Sequence, residues 1–175
     1  MKIIYGVSAS IAIYKSCEIV RLLQKEGFDI HVVMTQTASQ WISPVVFTAL
    51  SNNPVYVHDT DHGAVMAHIE LRENCDLMIV APASADFISQ AAVGSAPNLL
   101  STLLLSFSGP KWIAPSMNPV MFKHPAVQFN LTRLREYGYR ILSPETGEAL
   151  CGDLGEGKMA SVEYIVEQIC NIRMR

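Results

Sequence analysis

A repeated switch of apolar period constrains this chain more than any other feature. Short, nearly continuous apolar runs alternate with longer segments whose apolar residues recur at helical spacing. Lys2-Ile3-Ile4-Tyr5-Gly6-Val7 is a strand-length run, residues 11–26 carry a helical pattern, and Gly27 supplies the stop that a helix C-terminus favours. Asp29-Ile30-His31-Val32-Val33-Met34 is the next strand, followed by Thr35-Gln36-Thr37 and a helix placed either over residues 38–40 or from Pro44 to Leu50. Residues 56–70 show no clear period and read as a short strand and a long loop. The alternation then resumes with strands at 76–81, 111–114 and 139–142 and helices at 86–93, 98–105, 125–137 and 162–172. Unbroken apolar strands belong to sheets covered on both faces, and strands alternating with helices require right-handed crossovers. The expected architecture is α/β, a doubly wound, mostly parallel sheet with helices on both faces, as one domain over residues 1–175.

Composition narrows the function classes. Half the residues are hydrophobic and 17% are charged, which excludes disorder and leaves an apolar surplus suited to self-association. The net charge is -3, and the 13 lysines and arginines are scattered, so no nucleic-acid partner is expected. No apolar run approaches the roughly 20 residues of a membrane span, and the first residues lack the features of a signal peptide. A cytoplasmic protein is expected, with no membrane partner. Cys17, Cys75, Cys151 and Cys170 form no CxxC pair and no metal-ligand spacing. Reduced thiols and no metal are expected, with Cys17, Cys75 and Cys170 buried.

Open parallel sheets bind ligands outside the carboxyl ends of their strands, and four small, hydroxyl-rich turns fall there. They are Gly6-Val7-Ser8-Ala9-Ser10, Thr35-Gln36-Thr37, Pro82-Ala83-Ser84-Ala85-Asp86 and Pro115-Ser116-Met117-Asn118. The first can bring backbone N–H groups to a phosphate at a helix N-terminus, or it is an ordinary turn with a serine cap. It lacks both the G-x-G-x-x-G and the G-x-x-x-x-G-K-[ST] patterns, which leaves a mononucleotide. Thr35, Thr37, Ser84 and Asp86 carry the same ambiguity between ligand contact and helix cap. His68, near His58 and His62 in a polar stretch, reads from these residues alone as a solvated loop histidine rather than an acid/base group. Cys151 lies among Gly152, Gly155 and Gly157, a glycine-rich stretch suited to a mobile lid.

Taken together, several segments resemble one family. Pro82-Ala83-Ser84-Ala85-Asp86-Phe87 is similar to the PASANT region of the homo-oligomeric flavin-containing cysteine decarboxylases, and residues 115–122, PSMNPVMF, resemble their P-x-M-N-x-x-M-W motif. His68-Ile69-Glu70-Leu71 resembles their histidine segment. Residues 150–159, LCGDLGEGKM, resemble the A-C-G-D-x-G-x-G-R-M clamp of the branch that acts on phosphopantothenoylcysteine. Asp86, Pro97, Phe122, Leu150 and Lys158 depart from the family pattern. Lys158 replaces a planar guanidinium fork by a point charge.

The resemblance implies a flavodoxin-like or Rossmann-like three-layer sandwich that binds FMN and a small-molecule substrate and assembles as a homotrimer or higher homo-oligomer. It implies decarboxylation of phosphopantothenoylcysteine, in which oxidation of the cysteine CH2-SH by the cofactor supplies the electron sink that CO2 loss requires. The catalytic residues it implies are His68 as acid/base, Asn118 for the substrate carboxylate and Cys151 as proton donor. Gly6, Ser8, Ala9, Ser10, Thr35, Thr37, Ser84, Ala85, Asp86, Ser116 and Met117 would hold the cofactor. Asn118, Met121, Gly152, Lys158 and Met159 would hold the substrate, under a clamp loop at about 148–160. The alternatives are oxidative decarboxylation of a C-terminal peptide cysteine, prenyl transfer to flavin, which the clamp argues against, and a non-catalytic flavin-binding regulatory subunit.

Overall fold

A computed structural model describes residues 1–63, 66–148 and 152–173. Five parallel strands, β1 (Lys2–Val7), β2 (Asp29–Met34), β3 (Leu77–Ala83), β4 (Lys111–Pro115) and β5 (Arg140–Ile141), lie in the order β2-β1-β3-β4-β5. Direct pairing of β1 with both β2 and β3 makes the gap between β1 and β3 the point where strand order reverses. Alternation along the strands divides the core. Ile3, Tyr5, Val7, Ile79 and Ala81 face one side, where α1 (Ile13–Lys25), α3 (Pro44–Ser51) and α9 (Val162–Arg173) pack. Ile4, Met78, Val80 and Ile113 face the other, covered by α4 (Ala67–Asn74), α5 (Ala85–Val93), α6 (Leu99–Ser106) and α8 (Pro125–Glu136). Burying each of these aliphatic side chains contributes about 1.5–3 kcal/mol, so both faces must stay covered.

The expected strands and long helices are present, with local chemistry that accounts for their ends. Gly27 takes φ +80 after α1, and Gly94 takes φ +72 at the end of α5. Asn98 and Ser101 form a reciprocal capping box that starts α6. The two placements considered for the second helix both occur, as α2 (Gln36–Trp41) and α3.

Four points depart from the sequence expectation. Tyr56 makes only a single parallel bridge with Val33, and the stretch expected to remain a loop to Glu70 instead enters α4 at Ala67. With only Ala67 and Leu71 fully buried, this eight-residue helix carries too short an apolar stripe to read as periodic. A five-residue helix, α7 (Pro119–Lys123), follows β4 and is too short to leave a period. The expected flexible clamp loop is largely an antiparallel hairpin of β6 (Glu145–Glu148) and β7 (Leu154–Lys158). Its glycines hid the strand signal. Cys17, Cys75 and Cys170 are half-buried rather than buried.

Candidate active site

The carboxyl ends of β1, β3 and β4 open into a cavity of about 380 Å³ at the strand-order reversal. Buried polar ties fix its floor. The Ser8 hydroxyl donates to the Pro82 carbonyl at 2.9 Å and accepts from the Ser84 N–H at 2.8 Å, joining the turns after β1 and β3. The Ser10 hydroxyl donates to the Ser116 hydroxyl at 2.8 Å, joining the turns after β1 and β4. On α1, Ser16 donates to the Ala81 carbonyl at 2.9 Å and anchors the helix on β3. Each tie satisfies groups that would otherwise be costly to bury, so the three turns hold one geometry.

The floor itself is small and largely apolar. Ala9, Ala12 and Ala85 leave room for a flat group, with Ser10, Ser84 and Ser116 beside them. Among the described residues, the N–H groups of Ala9, Ser10 and Ile11 have no hydrogen-bond acceptor, and they immediately precede the 13-residue helix α1. Unpaired N–H groups at a helix N-terminus favour an anion. Lys15, one turn further along α1, also lines the cavity.

The opposite wall begins at Asn118. Its Oδ1 accepts from the Val120 N–H at 2.7 Å and caps α7, which turns its Nδ2 the other way. That Nδ2 donates to the carboxylate of Asp153. Close approach of β7 completes the wall. The Met117 N–H donates to the Gly157 carbonyl at 2.9 Å, and a Cβ on Gly157 would lie 2.7 Å from the Met117 carbonyl oxygen. Gly157 has φ +147, a region that side chains disfavour, so glycine is required there on both counts. Lys158, Met159 and Met121 line the same wall.

His68 does not line this cavity. It sits on α4, where its Nδ1 lies 2.8 Å from Asp59 Oδ2 and its backbone N–H donates to Asp59 Oδ1 at 3.0 Å. A carboxylate only accepts, so Nδ1 carries the proton in this pair. Desolvation pushes the Asp59 carboxyl up, but hydrogen bonds from the His68 side chain, the His68 N–H and the Ala67 N–H outweigh it and hold the group below the usual carboxylate range.

The structure brings Ala9, Ser10, Ser84, Ala85, Ser116, Met117, Asn118, Met121, Lys158 and Met159 together. It does not bring Gly6, Ser8, Thr35, Thr37, Asp86, Gly152 or His68 to the lining. Gly6 is buried within β1, where a Cβ would meet Leu100 at 2.6 Å, so its role is close packing. Ser8 supports the floor from beneath. Thr35 caps α2 by accepting from the Ala38 N–H at 3.2 Å, Thr37 is exposed on α2, and Asp86 is exposed and bonded to Gln90. Cys151 lies outside the described residues.

Lys15 and Asp59 escaped the sequence reading, and Asp153 entered it only as part of the clamp segment, with no role of its own. Lys15 left one signal, a cation in the first turn of a helix, against the macrodipole. The Asp59–His68 pair left none, since α4 was not foreseen. Cys75 is no nucleophile at neutral pH: burial pushes its thiol up to about 12.

Comparison with known proteins adds independent findings. The model of the Flavoprotein family matches residues 1–174. A Streptococcus mutans protein named probable phosphopantothenoylcysteine decarboxylase is 38% identical over 172 residues, covering 96% of each chain. A coenzyme A biosynthesis bifunctional protein of Escherichia coli is 42% identical over 168 residues, 95% of this chain and 41% of that protein. The chain thus spans about two fifths of the bifunctional relatives it matches. The crystal structure of an FMN-dependent cysteine decarboxylase superposes with a TM-score of 0.84 at 29% identity, covering 96% of this chain and 94% of that one. A phosphopantothenoylcysteine decarboxylase mutant superposes with a TM-score of 0.88 at 24% identity, covering 99% and 98%, a likeness of fold.

Proposed function

The chain belongs to the Flavoprotein family, and from that premise we propose that it is an FMN-dependent decarboxylase converting 4'-phosphopantothenoylcysteine to 4'-phosphopantetheine and CO2 in coenzyme A biosynthesis. One observation carries the reading: a single cavity at the strand-order reversal faces a rigid serine-tied floor on one side and Asn118 with the glycine hairpin on the other. The relative sharing 96% of its length with this chain supports the substrate.

The floor fits FMN. The unpaired N–H groups at residues 9–11 suit its phosphate, and the alanines and hydroxyls of the turns after β3 and β4 suit the edge of a planar ring. When bound, FMN supplies reversible two-electron oxidation of the substrate's cysteine side chain. This chain's residues bind, orient and move protons around that chemistry. Asn118 donates to the substrate carboxylate through Nδ2, which carries no charge that would hold CO2 back. Lys15 and Lys158 provide cations for a phosphate-bearing substrate. His68, with Nδ1 fixed on Asp59, presents Nε2 as the acid/base atom for the thiol. Cys151 would protonate the enethiolate left by CO2 as the two electrons taken up in the oxidation step return to it from the cofactor, so that the released product keeps a saturated carbon chain.

Because His68 lies off its own chain's cavity, a second copy delivers it, and the working form is a homotrimer or an assembly of trimers. Exposed Val93, Leu105 and Phe129 suit that association. The reading places the protein in the cytoplasm. Among the described residues, no helix is long and apolar enough to cross a membrane. Anaerobic incubation of the FMN-loaded protein with phosphopantothenoylcysteine, and separately with a peptide ending in cysteine, tests the substrate. CO2 release from the first alone is expected, and release from the peptide alone would overturn the reading.

A further inference from the structure

Asn118 has one polar group to offer a ligand. Its Oδ1 is committed to the Val120 N–H at the start of α7, which leaves Nδ2 facing outward, and Nδ2 donates to the Asp153 carboxylate. Asp153 immediately precedes β7, whose later residues are pinned to the turn after β4 by the Met117–Gly157 backbone bond. Two of the contacts that hold the hairpin to the site differ in kind. One is a backbone contact at buried Gly157 that tolerates no side chain. The other is a side-chain contact at exposed Asp153, where water competes and exchange is easy.

We propose that Asp153 is a surrogate carboxylate: it occupies the Asn118 donor in the ligand-free chain and is displaced by the substrate's own carboxylate. Two carboxylates cannot share one neutral amide without mutual repulsion, so binding of one excludes the other. The device distinguishes substrate from product. A ligand that has lost CO2 has nothing to place on Nδ2, Asp153 returns to Asn118, and the hairpin resumes its ligand-free contact as product leaves. The inference rests on the decarboxylase reading for the identity of the ligand and on the Asn118–Asp153 contact for the displacement.

The test uses FMN-loaded wild type, Asp153→Ala and Asp153→Asn, with two unreactive ligands. These are the hydroxyl analogue of phosphopantothenoylcysteine, with serine in place of cysteine, and the same molecule without its carboxylate. Calorimetric titration is expected to show the carboxylate ligand binding roughly tenfold tighter to Asp153→Ala, with Asp153→Asn between, while the decarboxylated ligand changes less than about twofold. Equal changes for both ligands, or weaker binding of the carboxylate ligand, would overturn the proposal. Hydrogen exchange on ligand-free protein supplies a readout independent of the substrate. Residues 152–158 should lose protection several-fold in Asp153→Ala, and unchanged protection would again overturn it. If the ligand contrast holds while wild type releases no CO2, displacement stands and the catalytic reading falls. If neither ligand binds wild type, the substrate assignment falls and the exchange result alone decides.

Discussion

The floor of the cavity and its hairpin wall reach the same ligand space by opposite means. The floor is built from strand ends and held by buried hydroxyl ties, Ser8 to Pro82 and Ser84 and Ser10 to Ser116, so each turn is fixed against a neighbouring strand. The wall is a two-stranded hairpin with Thr146, Leu154, Glu156 and Lys158 exposed, and its ties to the turn after β4 include the Met117–Gly157 backbone bond and the Asn118–Asp153 side-chain contact. Two strands alone are marginal in water, so the hairpin's geometry is borrowed from the turn it leans on. On the proposed reading this difference divides the work: the floor would position the cofactor, while the wall would yield to each substrate.

If that division holds, a change in the wall should alter activity without altering stability. Gly157→Ala should produce the largest effect, because its Cβ would sit 2.7 Å from the backbone oxygen of Met117 at a φ that disfavours alanine. A rise in KM of tenfold or more is expected, with flavin content kept and the melting temperature within a few degrees of wild type. A large fall in melting temperature would show that the hairpin is part of the core, and the comparison would break.

A change in the floor should do the reverse. Ser10→Ala leaves Ser116 buried without its partner, a cost of about 1–2 kcal/mol, or a fall of roughly 2–8 °C for a chain of this size. Thermal unfolding and the flavin absorbance of the purified protein check this, and both should fall together. Loss of activity with neither changed would transfer Ser10 from support to chemistry.

The smallest effect lies outside both regions. Asp59 is held below its unfolded carboxyl value, mainly by His68 once desolvation is overcome, so its contribution is present above about pH 4 and is lost as pH falls through the lower folded value. Its side chain is 40% exposed, so solvent screening limits the effect to a few tenths of a kcal/mol. Asp59→Asn should slightly reduce the loss of stability between pH 6 and pH 3 in urea titrations. An unchanged difference would show that the pair contributes orientation alone.

Legibility in the sequence followed the same division. Strands of the floor were plain because buried parallel strands need unbroken apolar runs, and their turns were plain because small hydroxyl residues cluster at the strand ends. The ties within the floor were not legible. Ser10 and Ser116 are 106 residues apart, and nothing local in either turn says that they meet. Thr35 caps α2 through its hydroxyl as Ser84 caps α5, but only Ser84 lines the cavity. The wall was recognisable only through its resemblance to a family clamp, since glycines chosen for close approach also erase the alternation that marks a strand. His68 was found the same way, while its partner Asp59 and its distance from the cavity depended on α4, a helix too short to announce itself.

The central claim is that one FMN site removes CO2 from phosphopantothenoylcysteine and returns the electrons to the product. Mass spectrometry of the product formed anaerobically by the FMN-loaded protein tests it most directly. A product lighter than substrate by CO2 alone is predicted; a product that has also lost two hydrogens, or no product at all, would contradict the account.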